Sequence, residues 1–176
     1  MTAEHKNTLL RPIVEGDLEV LRKFRNETKS LYLRKIDYIT SGAQKAWFKK
    51  EQESKNSYAF AIVETETLKR TVGSCALYNI NDDKAEFGRM LIGDKEAHGR
   101  GIGFLATLLC LHIGFEKLML KTITANVHEE NIAAVKSYLK AGFVIYGKKL
   151  YERGGFELEI GVTKESKDWG GLNEHN

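Results

Sequence analysis

The residues best suited to bind a phosphate lie in a glycine-rich loop, His98-Gly99-Arg100-Gly101-Ile102-Gly103, which leads into an apolar stretch that begins at Phe104. Glycines at alternate positions leave backbone N–H groups uncovered, and a helix start adds the positive end of its dipole. Arg100 can supply a further positive charge from the flank. The loop therefore predicts an anion site built mainly from backbone.

The same glycines allow two other interpretations. Glycines before a helix are also typical of a plain tight turn. In addition, Gly101-x-Gly103-x-x-Ala106 matches a dinucleotide-binding fingerprint. That fingerprint belongs in an early βαβ unit, whereas antiparallel hairpins are predicted ahead of this loop. A phosphate-binding loop that ends in Gly-Lys-Ser/Thr is excluded, because no such triplet follows.

A second candidate for chemistry is Tyr138, on a helix predicted over Asn131–Ala141 and ended by Gly142. Helical spacing places Tyr138 at the edge of an apolar face, so that its ring can pack while its hydroxyl faces a cleft. The alternative is a tyrosine at the edge of the core whose hydroxyl is satisfied within the protein.

Periodicity and turn signals predict seven strands and four helices around these residues. The strands are predicted at Thr8–Val14, Tyr58–Glu64, Thr71–Ile80, Glu86–Ile92, Met119–Val127, Phe143–Tyr146 and Phe156–Val162. The helices are predicted at Asp17–Arg25, from Ser41 onward, at Phe104–Lys117 and at Asn131–Ala141. Pro12 suggests an edge strand, and Ser41-Gly-Ala-Gln44 has the pattern of a capping box. The order indicates a mixed α/β fold rather than a doubly wound sheet.

Composition restricts the classes of function. With 176 residues, 42% of them hydrophobic, the chain can form one packed domain, which we place at residues 1–166 ahead of a solvated tail, 167–176. A net charge of +3 without a basic cluster disfavours a nucleic-acid-binding module and suits a small anionic ligand. The N-terminus lacks the apolar core of a signal peptide, and the apolar run Phe104–Phe115 is too short to span a bilayer. Neither nucleic acid nor a membrane is expected as a partner.

The two cysteines, Cys75 and Cys110, lie inside apolar stretches without the spacing of metal ligands. This predicts buried thiols, no disulfide, no metal site and a cytoplasmic location. Burial also argues against a cysteine nucleophile.

The glycine loop resembles the pyrophosphate-binding motif of the GNAT N-acetyltransferase superfamily, Gln/Arg-x-x-Gly-x-Gly/Ala, with Gly101 and Gly103 on its glycines and His98 at the Gln/Arg position. The stretch from Asn131 to Tyr138 resembles a second signature of that family. The resemblance extends from Leu10 to Val162. It implies a central, mostly antiparallel sheet with helices on both faces, acetyl-CoA as cosubstrate and direct acetyl transfer to an amine in a ternary complex.

The resemblance also implies roles for individual residues. The cofactor would be bound by residues of the fourth strand, the glycine loop and the following helices: Met90, Leu91, Ile92, His98, Gly99, Arg100, Gly101, Ile102, Gly103, Phe104 and Asn131. Tyr138 would donate a proton to the leaving thiolate. Glu86 would be the base that deprotonates the amine, although a surface glutamate after the Asn81-Asp82-Asp83 turn is a competing interpretation. His128 and Glu129 are the reserve bases.

Five residues lie on elements that line the acceptor side in related enzymes: Arg25, Asn26, Tyr32, Trp47 and Tyr78. Phe24-Arg25-Asn26 and Trp47-Phe48 resemble the branch that holds ribosomal-protein (RimJ/RimL-like) and amino-sugar N-acetyltransferases. A small-molecule amine, an amino sugar or a protein N-terminus is the expected acceptor, and a homodimer is possible for this family. A non-catalytic acyl-CoA-binding module is the alternative function.

Overall fold

The computed structural model describes residues 1–28, 32 and 36–166, so the predicted tail at 167–176 lies outside the described residues. Within them the chain forms eight strands and four helices. The strands are β1 (Ala3–His5), β2 (Thr8–Pro12), β3 (Tyr58–Glu64), β4 (Arg70–Asn81), β5 (Lys84–Ile92), β6 (Thr122–His128), β7 (Val144–Leu150) and β8 (Phe156–Thr163). The helices are α1 (Leu18–Glu27), α2 (Ser41–Glu53), α3 (Ile102–His112) and α4 (Ile132–Lys140).

All eight strands belong to one sheet, in the order β1-β2-β3-β4-β5-β6-β8-β7. Each neighbouring pair is antiparallel except β5 and β6, which run parallel. The chain reaches β6 from β5 through α3, the crossover that a parallel pair requires. The predicted mixed α/β fold with a mostly antiparallel sheet is confirmed.

The side chains of β3 point alternately into two cores, which shows that helices cover both faces of this sheet. Phe60 and Ile62 point into the main core, which contains most of α3 and the inward side of α4. Ala61, between them in the sequence, packs instead with α1 residues such as Leu21. Because neighbouring residues of a strand point to opposite faces, α1 and α2 lie on one face and α3 and α4 on the other.

The helix α3 is buried on nearly every side, as its apolar composition predicts. It contacts strands β1, β2, β4 and β5 and the helix α4, and it continues as a π-helical turn at Ile113–Lys117. Among the residues that the structure describes, no helix is long and apolar enough to cross a membrane.

Several local predictions need correction. The strand β1 was not predicted, and it makes β2 the second strand of the sheet, with Pro12 lying beyond the end of β1. The residue that caps α2 is Thr40, whose Oγ1 accepts a hydrogen bond from the Ala43 N–H at 3.1 Å, so the predicted capping box at Ser41 does not form. The strand β6 begins three residues later than predicted, because Met119 adopts a positive φ of 57° and lies in the connection.

A buried ion pair joins the start of α1 to the sheet. Asp17 is 4% exposed, and its carboxylate accepts two hydrogen bonds from the Arg11 guanidinium at 2.6 and 2.8 Å. The Val14 N–H and the Thr71 hydroxyl donate two more, at 2.9 and 2.8 Å. Burial raises the pKa of Asp17, but these hydrogen bonds outweigh burial and hold its pKa below the usual value.

We expect Asp17→Asn to lower the free energy of unfolding by about 2 kcal/mol at neutral pH, because Arg11 then faces a neutral amide. Since the pKa of Asp17 is depressed in the folded state, the stabilisation is present above the pKa of the unfolded chain and is lost as the pH falls through the folded pKa. Urea unfolding should therefore show a difference from wild type that shrinks below about pH 4. Glu15→Gln, an exposed change two residues away, is the control and should cost less than about 0.5 kcal/mol. A difference for Asp17→Asn that persists unchanged in acid would contradict this account.

Candidate active site

The candidate site lies where the two parallel strands separate. The β5–β6 ladder consists of three pairs and ends at Glu86 and Thr124. Beyond that point β6 pairs with β8 alone, and β5 pairs with β4 alone. The main chain of β5 therefore turns one hydrogen-bonding edge toward an opening in the middle of the sheet.

A bulge in β5 marks the same opening. The register between β4 and β5 shifts so that Arg89 and Met90 together lie opposite Cys75. Arg89 has a φ of +51°, which side chains rarely adopt. Such a bulge bends a strand and redirects its side chains, and here it turns β5 away from β6.

The opening leads into a cavity of about 690 Å³. Its walls come from β5, β6, the starts of α2 and α4, and the end of α1. The cavity wall contains these residues that were predicted to act in catalysis or binding: Arg25, Tyr32, Trp47, Tyr78, Glu86, Met90, Leu91, His128, Asn131 and Tyr138. The wall also contains three polar residues for which the sequence analysis predicted no role in the site: Gln44, Asn126 and Glu157.

Three neutral donors hold the Glu86 carboxylate at the last rung of the parallel ladder. The Tyr78 hydroxyl donates to Oε1 and the Asn79 amide to Oε2, each at 3.0 Å, and the Asn126 amide lies 3.4 Å from Oε1. A Cβ at Gly88 would lie 2.8 Å from the Tyr78 hydroxyl, so glycine there lets Tyr78 reach across to Glu86. The interpretation of Glu86 as a solvated surface residue does not fit this cradle.

Tyr138 lies on the wall of the cavity and is 8% exposed. Its ring packs edge-on against Phe87, with 5.6 Å between the ring centroids, and at a tilt of 47° against Phe143, with 5.7 Å between the centroids. Burial raises the pKa of its hydroxyl well above the usual value. The hydroxyl therefore keeps its proton at physiological pH and is a hydrogen-bond donor.

Both reserve bases, His128 and Glu129, form contacts with other residues of the protein. His128 is 6% exposed; its Nδ1 accepts a hydrogen bond from the Glu130 N–H at 3.2 Å, and its Nε2 lies 3.0 Å from the Gly154 carbonyl oxygen. His128 lies on the cavity wall, but both of its ring nitrogens already form contacts within the protein. Glu129 forms an ion pair with Lys148 at 2.6 Å and is not part of the cavity wall.

The glycine loop forms the N-terminus of α3, as predicted. Gly99 and Gly101 both have a φ of +75°, and Gly101 is the residue that precedes the first helical turn. The first N–H groups of a helix have no partner within the helix, and the first turn of α3 contains no acidic residue. This end of the helix can therefore accept an anion, the property expected of a pyrophosphate site.

His98 connects this loop to β5. Its Nε2 lies 2.9 Å from the carbonyl oxygen of Ile92, the last residue of that strand. A ligand bound at the loop can therefore continue along Ile92, Leu91 and Met90 into the cavity. The loop itself lies outside the cavity wall, so the two parts of the predicted cofactor site are adjacent but distinct.

Asn26 and Asn131, predicted to bind the acceptor and the cofactor respectively, both form hydrogen bonds to the backbone. The Asn26 side chain exchanges two hydrogen bonds of 2.9 Å with the backbone of Ile39, which ties the end of α1 to the segment before α2, and it is not part of the cavity wall. Asn131 lines the cavity, but its Oδ1 caps α4 by accepting from the Ala134 N–H at 3.3 Å.

Comparisons with known proteins agree with this geometry. Residues 7–144 match the family model of the acetyltransferase (GNAT) domain. The chain is 25% identical over 130 residues to the acetyltransferase PseH of Campylobacter jejuni, covering 74% of this chain and 78% of that protein.

Solved structures share the fold. The spermidine N-acetyltransferase of Vibrio cholerae, in complex with CoA and spermine, superposes with a TM-score of 0.82 at 23% identity, covering 91% of this chain and 97% of that one. A domain from Methanocaldococcus jannaschii gives a TM-score of 0.72 at 26% identity, covering 89% and 97%. Because the matched region extends from β2 to α4 and includes the glycine loop and Tyr138, the chain belongs to the GNAT acetyltransferase family and is an acetyl-CoA-dependent N-acetyltransferase.

Proposed function

We propose that this enzyme acetylates the primary amine of a small molecule by direct transfer in a ternary complex, at the opening between β5 and β6. The observation that supports this most strongly is the end of the parallel ladder at Glu86, where the cavity begins. A volume of about 690 Å³ is in the range of small-molecule sites. The structural relatives from Vibrio cholerae are spermidine N-acetyltransferases, and they support the same class of acceptor.

Acetyl-CoA would bind with its pyrophosphate at the N-terminus of α3, where Gly99, Gly101 and Gly103 leave the backbone uncovered. Its pantetheine arm would pair with the free edge of β5 at Met90–Ile92, in the manner of an added strand. This arrangement delivers the thioester to the cavity between Glu86 and Tyr138.

Glu86 is the proposed base. An alkylammonium has a pKa near 10.4, so the amine must lose a proton before it can attack the thioester carbonyl carbon. The donors on Glu86 are neutral, and they orient its carboxylate without neutralising it. The ammonium proton passes first to Glu86; the neutral amine then attacks, the C–N bond forms, and the oxyanion accepts hydrogen bonds from main-chain N–H groups of β5.

Tyr138 is the proposed donor to the leaving group. When the tetrahedral intermediate collapses, the C–S bond breaks and the CoA sulfur carries the electron pair. Because burial raises the pKa of Tyr138, its hydroxyl is protonated when the C–S bond breaks, and it transfers this proton to the sulfur. The sulfur leaves as the free thiol of CoA, and the nitrogen loses its second proton as it becomes an amide, which restores the Tyr138 hydroxyl.

A covalent cysteine intermediate is not part of the proposal. Cys75 and Cys110 are both completely buried and free, as the sequence predicted. Burial raises the pKa of the Cys110 thiol, which keeps it protonated and unreactive. A non-catalytic acyl-CoA-binding module would not need the polar cradle around Glu86, and the cradle favours the enzyme.

Gly101→Ala tests the cofactor site. A Cβ at Gly101 would meet no atom within 4 Å, so alanine causes no clash, although its φ of +75° should cost about 1 kcal/mol of stability. The added methyl group should block the approach of the pyrophosphate and weaken acetyl-CoA binding at least about tenfold by calorimetry. Gly154→Ala, in the turn between β7 and β8, has the same open surroundings and a φ of +94°, and it is the matched control for the backbone strain. Equal affinity in the two variants would remove the loop from the cofactor site.

Glu86→Gln tests the base. For the wild type, the rate of acetyl transfer should rise with pH as the base ionises. The variant should lose this rising limb of the pH–rate profile. At neutral pH we expect its kcat to fall by about a hundredfold or more, with recovery at high pH as free amine becomes available. The control is Glu157→Gln, which removes a different carboxylate from the cavity wall and should keep the limb. Superimposable pH–rate profiles for Glu86→Gln and the wild type would show that Glu86 is not the base.

A further inference from the structure

The side chain of Arg89 lies on the opposite face of β5 from the one that strand alternation predicts. Phe87 points into the main core, and strict alternation would send Arg89 to the same side. The bulge and the φ of +51° at Arg89 break this alternation. The guanidinium therefore reaches the face covered by α1 and α2, where it forms an ion pair with Glu51 of α2.

Glu51 is a well-held partner for this guanidinium. Its side chain is 12% exposed, and Oε2 accepts from Arg89 Nη1 at 3.1 Å. The other carboxylate oxygen, Oε1, accepts a hydrogen bond from the hydroxyl of Ser57, a buried residue. Glu51 also follows Trp47, a residue of the cavity wall, by one helical turn on the same side of α2. The ion pair thus ties the bulge in β5 to the helix that lines the cavity.

The guanidinium of Arg89 also covers the ring of Tyr78. Its Cζ lies 4.6 Å from the ring centroid, a distance typical of a cation–π contact. Tyr78 pairs with Glu86 across β4 and β5, and its hydroxyl donates to Oε1 of that carboxylate at 3.0 Å. The ring lies close to Gly88 as well, where a Cβ would come within 3.1 Å of ring carbon Cε1. Contacts with Arg89 and Gly88 therefore restrict the ring that presents this hydroxyl to Glu86.

We infer that Arg89 is a positioning residue for the base. Glu51 holds Arg89, Arg89 fixes the ring of Tyr78, and the Tyr78 hydroxyl keeps the Glu86 carboxylate aimed at the amine. The inference rests on the proposed function, because it takes Glu86 as the base. In this role Arg89 acts through Tyr78 and needs no contact with either substrate.

Charge and geometry favour this indirect role. An arginine that faced the ammonium group of the acceptor directly would repel it, whereas the carboxylate of Glu51 offsets the charge of Arg89. A cation over the ring draws electron density from the Tyr78 hydroxyl, which strengthens the hydrogen bond that it donates. Transfer is sensitive to placement, since a displacement of about 1 Å can lower a rate by about a hundredfold.

A double-mutant cycle tests the connection between Arg89 and Tyr78. Three amines are tried at saturating acetyl-CoA: spermidine, glucosamine and tyramine. On an amine that the wild type acetylates, we expect Arg89→Gln and Tyr78→Phe each to lower kcat by about tenfold, with the KM for acetyl-CoA changed less than about twofold. The double variant should lie within about twofold of Tyr78→Phe, because both changes remove the same connection. Arg89→Lys restores a cation over the ring and should recover at least about half of the wild-type kcat.

Arg22→Gln is the matched control for loss of an arginine that pairs with a glutamate and covers a tyrosine. Arg22 Nη2 lies 2.6 Å from Glu19 Oε1, and its Cζ lies 5.7 Å from the ring centroid of Tyr38. These three residues are not part of the cavity wall. The change should leave kcat within about twofold of the wild type.

A crystal structure of Arg89→Gln gives a readout that needs no amine. It should show the Tyr78 hydroxyl beyond hydrogen-bonding distance of Glu86. The inference is overturned if that bond remains, if Arg89→Gln changes only the KM for the amine, or if the two single losses multiply in the double variant; the proposed function then still stands. If the wild type acetylates none of the three amines, the proposed function fails, and the crystal structure alone decides whether Arg89 fixes Tyr78.

Discussion

Three register pairs hold β5 and β6 together, and the functional geometry depends on where that parallel ladder ends. Glu86 pairs with Tyr78 of β4 and with Thr124 of β6, and three side-chain donors hold its carboxylate. Past this residue the bulge at Arg89 bends β5, and β6 stays with β8. The unpaired edge of β5 is the surface that the proposed pantetheine arm requires. One interruption of sheet pairing thus gives the cleft and positions both the proposed base and the proposed main-chain donors.

The remainder of the fold keeps this opening in place from both faces. On one face, α3 is buried against four strands and brings its N-terminus to the end of β5, where His98 contacts Ile92. On the other face, the ion pair between Arg11 and Asp17 anchors α1, whose far end carries Arg25 to the cavity. The cofactor and acceptor sides of the site therefore rest on different cores and can be perturbed separately by mutation.

Local patterns predicted much of this arrangement. The glycine spacing predicted the start of α3, and helical periodicity placed Tyr138 at the border between core and cleft, because both signals depend on residues close in sequence. The strand β1 was missed, since three residues carry too little alternation to be recognised. The capping box was assigned to Ser41 because Thr40, one position earlier, offers the same chemistry. Both errors arise from weak local signals.

Contacts between distant residues could not be predicted. Asn126 reaches Glu86 from the neighbouring strand, 40 positions away in the chain, and no short pattern encodes that pairing. His128 has the intrinsic chemistry of a base, yet the Glu130 N–H and the Gly154 carbonyl occupy its ring nitrogens. Residue type identified the candidates, and tertiary contacts distinguished among them.

The central claim is that the thioester sits where β5 and β6 separate, with its sulfur facing Tyr138. A crystal structure of the protein with bound CoA tests this most directly. The account predicts the pyrophosphate at the N-terminus of α3, the pantetheine arm paired with Met90–Ile92, and the CoA sulfur within hydrogen-bonding distance of the Tyr138 hydroxyl. A pantetheine arm bound outside the β5–β6 opening, or a sulfur remote from Tyr138, would contradict it.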